Sequence, residues 1–457
     1  MNGGSLVLIG AGSTVFTPGL MTDLASSPVF AGWTVHLVDL DADAADTMAR
    51  LGRRIAAERG AELTFVPHVE RREALPGARF VTTTIAVGGA TGWRHDVEVP
   101  ARHGIAQTVG DSVGPGGVLR ALRHVPELVA IAEDVADLAP EAQLINYSNP
   151  LTANVRAVAA TTPVRVAGLC HGTMHTLGAL ARDLGVPGDE VHAVFAGLNH
   201  LCWLLDLRHR DADLYPQLRG LVAERATGGR AAESTRHEGV HLPVSADLFA
   251  TFGRYPAPGD RHVAEFFGWY LAGGDGPALP WGLQGGQDMT MEYIAQKSDL
   301  WERLHGQADG TLPLPRNDSQ EAERLVSIAE AIVTGRDAVE LAVNLPNHGK
   351  ISNLPPEAVV EVPAVVGAAG ITGLAVGALP DAIAAVLSAR AQQQELTVQA
   401  ALTGSRELAR QALALDPLVP DPATAAAILD DAIDAHGPVM DRFRADTPAE
   451  SPVGTSR

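Results

Sequence analysis

The sequence predicts an α/β protein built on a doubly wound parallel sheet, followed by a second α+β domain. Short apolar runs alternate with longer amphipathic segments through the first 195 residues. The first run, SLVLI at residues 5–9, leads directly into the glycine-rich turn GAGST. A buried strand followed by a glycine turn and a helix is the unit from which parallel, helix-connected sheets are built. These observations define the fold class.

The alternation assigns each element of the first domain in turn. Short apolar runs predict strands, and the second of them ends in Asp39. Pro18 suits the start of the helix after the glycine turn, because proline lacks an N–H group that this position does not need. The predicted strands cover residues 5–9, 34–38, 79–85 and 143–146, and the predicted helices cover about residues 18–26, 42–59 and 117–138.

The alternation loosens after about residue 195. Residues 210–262 are rich in Arg, Gly and Pro, which favours loops and short helices. Alanine-rich amphipathic segments fill residues 378–444 and predict packed helices. Further helices are expected at 286–304 and 318–335, and a strand at 357–366. The predicted domains are residues 1–195 and 196–445, with a flexible tail at 446–457.

Composition and charge exclude several classes of protein. Hydrophobic residues form 46% of the 457-residue chain, so a large core is expected and general disorder is not. The net charge of −20 repels a phosphate backbone, so no nucleic-acid partner is expected. No apolar run reaches the ~18 residues of a membrane span. The N-terminus lacks a basic leader segment, and two cysteines do not make a disulfide framework. These features predict a cytoplasmic protein without a membrane partner.

The turn after the first strand is a candidate dinucleotide site. Gly10 and Gly12 would let the backbone approach a pyrophosphate, and the following helix would offer free N–H groups. Ser13 and Thr14 follow in the same turn, before that helix, and are further candidate contacts. Val15 stands where the full G-x-G-x-x-G pattern has its third glycine, so the motif alone also fits a plain tight turn.

An acidic residue at the end of the second strand strengthens this prediction. Asp39 lies where a carboxylate would hydrogen-bond the hydroxyls of an adenosine ribose. The same carboxylate would repel a 2′-phosphate, so NAD is expected rather than NADP. The first domain is therefore predicted to be Rossmann-like and to bind NAD.

Three segments carry side chains suited to metal and substrate binding. The first is NYSNP, residues 146–150, at the carboxyl edge where open sheets place their sites. The others are GLCHG, with Cys170, and GLNH, with His200, each after a strand-like run. A thiolate and an imidazole are good ligands for a divalent transition metal, and parallel strands would bring both to one edge. The alternative interpretation is a buried core cysteine and a solvated histidine.

The motifs together resemble glycoside hydrolase family 4. They are GAGSTVFTPGL, NYSNP, GLCHG, AGLNHL and VNLPNHGKISNLP…VVEVPA, in that family's order over about residues 5–380. The resemblance implies that Cys170 and His200 bind manganese. It also implies that Asn149, in the NYSNP turn, lies in the substrate site.

The resemblance implies a cofactor and a mechanism as well. Gly10, Gly12 and Asp39 match the family residues that hold NAD on a lactate-dehydrogenase-like fold. NAD takes a hydride from C3 of the sugar, a base removes the C2 proton, and the metal stabilises the enediolate. The C1 oxygen then leaves, water adds and the hydride returns, which differs from the two-carboxylate scheme of most glycosidases. The expected partner is a small carbohydrate, and the expected assembly is a homodimer or homotetramer.

The resemblance also suggests residues for the proton transfers. His171 is the candidate acid, because imidazole titrates near neutral pH; a role in orienting the metal cysteine is the alternative. The base is expected in the segment FGRYPAPGDRH, residues 252–262, with Asp260 favoured over Tyr255. Arg94 lies in a family-like stretch and is a candidate contact to the sugar or its carboxylate.

The residues after the metal cysteine indicate the substrate class. Cys-His-Gly at 170–172 resembles α-glucuronidase-like members, so hydrolysis of an α-glucuronide is the main prediction. The α-galacturonidase, α-glucosidase and α-galactosidase activities of the same family are alternatives, and a phosphorylated sugar is not expected. A lactate- or malate-type NAD dehydrogenase would share the fold but need no metal. A non-catalytic NAD sensor would not depend on Cys170.

Overall fold

The computed structural model describes residues 3–227, 239–272, 279–314 and 324–444. The predicted flexible tail at 446–457 lies outside these residues, as does the first part of the helix expected at 318–335. Within the described ranges, no helix is both long and apolar enough to cross a membrane.

One mixed sheet runs through the described residues and contains thirteen strands. The strands are β1 (Ser5–Ile9), β2 (Trp33–Val38), β3 (Leu63–His68), β4 (Phe80–Thr83), β5 (Gln143–Asn146), β6 (Arg165–Gly168), β7 (Val191–Leu198), β8 (Leu201–His209), β9 (Ala212–Asp213), β10 (Tyr255–Ala257), β11 (Ala338–Pro346), β12 (Val359–Gly367) and β13 (Gly370–Gly373).

Helices cover both faces of the sheet and join its strands. They are α1 (Thr17–Ser26), α2 (Ala42–Arg59), α3 (Arg71–Ala74), α4 (Gly89–Arg102), α5 (Gly114–Leu138), α6 (Leu151–Thr161), α7 (Gly172–Leu184), α8 (Tyr215–Thr227), α9 (Pro243–Phe252), α10 (Asp260–Val263), α11 (Gly268–Leu271), α12 (Gly286–Asp309), α13 (Arg324–Thr334), α14 (Asp381–Thr403), α15 (Arg406–Ala414) and α16 (Pro422–His436).

The first six strands form the parallel half of the sheet, in the order β3-β2-β1-β4-β5-β6. The chain starts at β1 in the middle, adds β2 and β3 on one side, and then adds β4, β5 and β6 on the other. This order confirms the predicted doubly wound class. Beyond β6 the sheet continues as an antiparallel half, β11-β12-β7-β8-β10, with β13 and β9 paired to β12 and β8. The predicted domain boundary at residue 195 falls inside β7.

Local signals explain where elements agree with the sequence prediction and where they differ. Helix α2 has the predicted bounds, because Asp41 accepts hydrogen bonds from its first turn and Gly60 ends it with φ +64°. Strand β4 is shorter than the predicted 79–85. Strand β3 has no counterpart in the prediction, and its sequence LTFVPH contains Pro67. Proline is tolerated there because β3 lies at the edge of the sheet.

Apolar side chains fill both faces of the parallel half. Alternate residues of β1 show this arrangement. Leu6 and Leu8 pack in a cluster with α1, α2 and α13, whereas Val7 and Ile9 pack in a cluster with α5 and α6. Burial on both faces explains why the first strand is an uninterrupted apolar run in the sequence.

The register of the strands aligns one row of residues across the sheet. In the parallel half the row consists of the last residue of every strand, so the following loops all leave the sheet at one edge. In the antiparallel half it continues through single pairs that join Gly168 to Asn344 and Glu361 to Gly197. We call these residues the site row: His68, Val38, Ile9, Thr83, Asn146, Gly168, Asn344, Glu361, Gly197, Cys202 and Ala257.

A buried ion pair joins the first half of the chain to its C-terminal helices. Asp96 on α4 accepts two hydrogen bonds from the guanidinium of Arg123 on α5, at 2.5 and 2.9 Å. The Nε2 of His436, at the end of α16, lies 3.2 Å from the same carboxylate. Burial by itself would raise the pKa of Asp96. The charge of Arg123 and the hydrogen bond to His436 outweigh burial, so the pKa is lowered and the carboxylate is ionised.

Removing Asp96 should destabilise the protein strongly, because Arg123 would keep its charge without a partner. We expect Asp96→Ala to lower the free energy of unfolding by about 3–5 kcal/mol. Glu141→Gln is the matched control, since it removes the exposed partner of Arg165 and should cost about 0–1 kcal/mol. Urea denaturation followed by circular dichroism measures both. Equal effects of the two changes would contradict this account of the buried pair.

Candidate active site

The dinucleotide turn, residues 10–14, crosses the end of the sheet between β2 and β4. Gly10 has φ +88°, and its N–H donates to the carbonyl oxygen of Val38 at 2.9 Å. A Cβ atom at this position would come within 2.9 Å of the Thr84 carbonyl group. Glycine is therefore required both by the backbone conformation and by the close approach of the neighbouring chain.

Asp39 is held against the same turn. The N–H of Gly12 donates to its Oδ2 at 2.7 Å, and the N–H of Asp41 donates to its Oδ1 at 3.0 Å. A Cβ atom on Gly12 would lie 2.7 Å from the carboxylate, so glycine is needed here as well. The turn and the carboxylate at the end of β2 thus form one unit, as a site for the adenosine part of a dinucleotide requires.

Ser13 and Thr14 differ in their contacts. The Oγ of Ser13 accepts a hydrogen bond from the N–H of Phe16 at 3.2 Å, just before α1 begins. The buried hydroxyl of Thr14 has no hydrogen-bond partner within the described part of the chain. Buried hydroxyls are normally satisfied, so an unpaired one beside this turn fits a site that a polar ligand completes.

The loop after β5 is fixed by side-chain hydrogen bonds. The Oδ1 of Asn146 accepts from the Thr83 hydroxyl at 2.9 Å and from the Ser148 N–H at 3.1 Å, and its amide donates to the Ser148 carbonyl at 2.9 Å. The side-chain amide of Asn149, next in the loop, donates to Oδ2 of Asp111 at 3.0 Å. Asp111 therefore holds the side chain of Asn149, the predicted substrate residue, while Asn146 fixes the loop that carries it.

Cys170 lies two residues beyond the end of β6. Its Sγ accepts the N–H of Gly172 at 3.5 Å, and the side chain of Asn199 hydrogen-bonds the same sulfur. Burial, together with the negative charge of Glu361, raises the pKa of Cys170 to about 12. The thiol is therefore protonated at neutral pH unless a cation stabilises the thiolate.

His200 lies in the two-residue turn between β7 and β8, with φ +65°. Such turns need positive φ values, which glycine and asparagine adopt more easily than histidine. The strained backbone points to a role for the side chain. The imidazole is buried, with its ring centroid 4.2 Å from that of His262. Burial, assisted by the charge of Arg261, lowers the pKa of His200, so the ring is neutral, the form that binds metals.

Cys170 and His200 are neighbours beside the site row. Asn199 precedes His200 in the chain and hydrogen-bonds Cys170, and the negative charge of Asp111 acts on both predicted ligands. Among the residues the structure describes, no group of three His, Cys, Asp or Glu side chains is arranged to hold a metal. Two protein ligands leave open positions on an ion, as catalytic sites do. The donors fit a divalent transition metal that also binds a substrate.

The route by which these two residues meet differs from the sequence prediction. Strand β7 runs opposite to β6, because three antiparallel pairings separate the two strands. The ends of parallel strands therefore do not bring Cys170 and His200 together. They meet because the pairs Gly168–Asn344 and Glu361–Gly197 carry the site row from β6 to β7.

Glu361 is a site-row residue that the sequence analysis does not single out. Its side chain is buried in β12, and its Oε2 accepts hydrogen bonds from the amides of Asn199 and Asn344, both at 3.2 Å. Burial raises the pKa of Glu361 to about 7, although these hydrogen bonds oppose the shift. The usable signal in the sequence is one acidic residue inside the apolar run VVEVPA, because lone buried carboxylates are rare.

Glu265 is a second buried acid outside the prediction. Its Oε1 accepts hydrogen bonds from the N–H groups of Thr108, Val109 and Gly110, at 2.9, 2.8 and 2.8 Å. Burial raises the pKa of Glu265 to about 8 against these bonds. The contact fixes the loop that carries Asp111. No sequence signal marks it, since its partners are backbone groups far away along the chain.

His171, the predicted acid, follows Cys170 and directly precedes α7. Its ring centroid lies 5.6 Å from that of His175 and 6.3 Å from that of Phe16. Phe16 follows the dinucleotide turn, so His171 lies between that turn and the predicted metal ligands. Its role as the acid stays a prediction.

Asp260 and Tyr255, the two predicted candidates for the base, are both hydrogen-bonded to neighbouring groups. The Asp260 carboxylate accepts from the N–H groups of Val244 and Ser245, at 2.8 and 2.7 Å, and from the Ser245 hydroxyl at 2.6 Å. It therefore caps the start of α9. The hydroxyl of Tyr255 donates to the Gly239 carbonyl at 2.7 Å within a core cluster. The role of either residue as the base stays a prediction.

His262 and Arg94 belong to two further segments that the sequence analysis selected. From the loop expected to hold the base, His262 rather than Asp260 reaches His200, by the ring contact described above. Arg94 lies on α4 with its Nε 3.7 Å from the Glu98 carboxylate, and 36% of its side chain is exposed. Its contact with the sugar stays a prediction.

Comparison with known proteins identifies the family. The model of family 4 glycosyl hydrolases matches residues 5–186, and the model of the C-terminal domain of the same family matches residues 195–419. Together they cover most of the chain, so this protein belongs to the family 4 glycosyl hydrolases and is a glycosidase. The resemblance seen in the motifs is confirmed, and the dehydrogenase and sensor alternatives are set aside.

Individual relatives match nearly the whole chain. An alpha-galacturonidase of Thermoanaerobacterium saccharolyticum is 33% identical over 91% of this chain and 91% of its own length. An alpha-galactosidase of Bacillus subtilis is 29% identical over 96% of this chain and 99% of its own. A 6-phospho-alpha-glucosidase from gut microorganisms, solved in complex with NAD and Mn²⁺, shares the fold with a TM-score of 0.81 at 22% identity, over 96% and 99% of the two chains. The relatives are named for different sugars.

The buried carboxyl of Glu361 should make stability depend on pH. The folded state keeps its proton up to about pH 7, whereas the unfolded carboxyl releases it near pH 4.5. The free energy of unfolding should therefore fall as pH rises through this window, by roughly 3 kcal/mol from this group. Glu361→Gln keeps the acceptor oxygen and removes the titration, so the variant should gain stability relative to the unaltered protein with rising pH.

Urea denaturation at a series of pH values between 4.5 and 7 measures this difference. Glu141→Gln, which alters an exposed carboxylate, is the control and should track the unaltered protein. A stability difference for Glu361→Gln that is constant over the series would refute the buried, protonated state.

Proposed function

We propose that this glycosidase uses NAD and a divalent metal, Mn²⁺ or a similar ion, to hydrolyse α-linked hexuronides. An α-glucuronide is the expected substrate, and an α-galacturonide is the next candidate. The observation that carries the proposal is the placement of Cys170, His200 and Asn149 beside the sheet edge that also bears the dinucleotide turn. A redox cofactor and a metal can act on one sugar only if their binding residues converge in this way.

The residues of the dinucleotide turn fit NAD. The backbone around Gly12 would accept the pyrophosphate, and the Asp39 carboxylate suits two ribose hydroxyls and disfavours a 2′-phosphate. The NAD and Mn²⁺ of the related 6-phospho-alpha-glucosidase structure support both cofactors. When bound, NAD supplies a reversible hydride acceptor for a sugar carbon, and the metal supplies a Lewis acid for the sugar oxygens.

Cys170 and His200 would meet the metal in different protonation states. The buried imidazole of His200 is already neutral and can bind directly. The Cys170 thiol must lose its proton when a cation binds, because only the thiolate is a ligand. Asn199 holds the sulfur, and the negative charge of Asp111 near both residues favours a cation between them.

His171 and Asn149 are proposed to act on the substrate. His171 is half-buried beside Cys170, and its imidazole is proposed to deliver a proton to the leaving oxygen. Asn149, held by Asp111, is proposed to orient the sugar. Asp260, with Tyr255 as the second candidate, is proposed as the base.

The preference for a hexuronide has three lines of support. The Cys-His-Gly sequence at 170–172 led to the α-glucuronide prediction, and the relative that is 33% identical is named an alpha-galacturonidase. Cationic groups also lie at the site, since Arg261 acts on His200 and Arg120 bonds Asn149. α-Glucosides and α-galactosides are the alternatives. We further propose a cytoplasmic homodimer or homotetramer.

A panel of nitrophenyl α-glucuronide, α-galacturonide, α-glucoside and α-galactoside tests the proposal. We expect turnover of a uronide only when NAD and Mn²⁺ are both restored to protein stripped of both. Cys170→Ser should lower kcat/KM at least about 100-fold through loss of the metal. Cys202→Ser is the matched control, because the Cys202 thiol donates a hydrogen bond to the Glu361 carbonyl oxygen, a contact that a serine hydroxyl can keep. Turnover by stripped protein without either addition would exclude the mechanism.

Gly12→Ala tests the dinucleotide turn. The new Cβ atom would lie 2.7 Å from the Asp39 carboxylate, so NAD should bind about tenfold more weakly or worse, a loss of at least about 1.4 kcal/mol. Gly188→Ala is the control, since a Cβ atom there meets open space. Isothermal titration calorimetry with NAD measures both, and circular dichroism checks the fold. Equal affinities in the two variants would place NAD elsewhere.

A further inference from the structure

Arg120 is a buried cation whose terminal nitrogens have no hydrogen-bond partner among the described residues. It lies in the second turn of α5 and is 9% exposed. Within the described part of the chain, its one hydrogen bond runs from Nε to the carbonyl oxygen of Asn149, at 3.1 Å. Neither terminal nitrogen is among the fully enclosed polar atoms that lack a partner, so both keep some accessible surface.

The carboxylates near Arg120 are already engaged. Both oxygens of Asp111 accept hydrogen bonds from neighbouring side chains, and Asp96 is paired with Arg123. Their charges act on Arg120, but neither bonds to it. A guanidinium keeps its charge even when buried, and a buried cation without a bonded anion is costly. Such a group is expected where a ligand supplies the anion.

The ligand should belong to the substrate rather than to the cofactor. Arg120 is bonded to Asn149, in the loop after β5, whereas the dinucleotide turn follows β1. Strand β4 lies between these two strands, so the two loops start roughly 10 Å apart. A pyrophosphate at the turn is therefore beyond the guanidinium, but a sugar held by Asn149 is within its reach.

We propose that Arg120 binds the carboxylate of the sugar and so determines the preference for a hexuronide over a neutral hexose. The inference rests on the function proposed above. The two terminal nitrogens of a guanidinium form a planar fork that matches both oxygens of a carboxylate. The assignment replaces Arg94, which is partly exposed and lies beside Glu98.

The test compares each uronide with the neutral glycoside that differs from it only at C6. We expect Arg120→Gln to lower kcat/KM for the nitrophenyl uronide about 10–100-fold, mainly through KM. The value for the matching neutral glycoside should fall much less, because that sugar has no carboxylate, so the preference for the uronide is lost. Arg120→Lys keeps the positive charge but not the planar pair of nitrogens, so its kcat/KM for the uronide should lie between the values of the unaltered protein and Arg120→Gln. Arg156→Gln, which removes an arginine paired with Glu395, is the control and should leave the preference unchanged.

Two measurements separate recognition from folding. Calorimetry with NAD and Mn²⁺ present should show that free glucuronate or galacturonate binds more tightly than glucose or galactose, and that Arg120→Gln removes this difference. Urea denaturation should show that Arg120→Gln is no less stable than the unaltered protein, because it relieves an unpaired buried charge. A loss of stability with the uronide preference intact would make Arg120 a structural residue and overturn the inference.

The outcomes distinguish the two proposals. If the unaltered protein hydrolyses no uronide with NAD and Mn²⁺, the proposed substrate class fails and the inference fails with it. If it prefers uronides and Arg120→Gln keeps that preference, only the inference about Arg120 fails. Loss of the preference in Arg94→Gln instead would return the carboxylate contact to Arg94.

Discussion

The hydrogen-bond register across the sheet is the constraint on which the site depends. In the parallel half it aligns the last residue of every strand. Two single pairs, Gly168–Asn344 and Glu361–Gly197, then extend the same row into the antiparallel half. A slip of one residue in β11 or β12 would turn their site-row side chains to the other face. Cys170 and His200 would then no longer lie beside each other.

Buried acids hold the loops around this row. Glu361 accepts from Asn199 and Asn344, and Asn199 in turn bonds the sulfur of Cys170. Glu265 fixes the loop that carries Asp111 by accepting hydrogen bonds from three of its backbone N–H groups. Burying a carboxyl is costly unless it is hydrogen-bonded, and a fully bonded one becomes a rigid support. The ligand-binding side chains are thereby positioned by groups that do not themselves need to touch the substrate.

Sequence reasoning succeeded where the relevant contacts are local. Gly10, Gly12 and Asp39 form one unit because a glycine turn after a first strand and an acid after the second can meet in only one way in a doubly wound sheet. It did not reveal the contacts of Asp260 and Tyr255, the residues predicted as the base. Their bonds run to the start of α9 and to a distant carbonyl, which no local pattern reveals.

The sequence by itself determined the parallel α/β class, the dinucleotide turn, the family and the kinds of ligand atoms available. These follow from periodicity, backbone sterics and short motifs, which act between residues close in the chain. Only the tertiary structure decided that Asp111, Arg120 and Glu361 surround the same site as Cys170 and His200. Their proximity depends on strand register and helix packing between segments far apart in the chain, and local patterns do not encode those contacts.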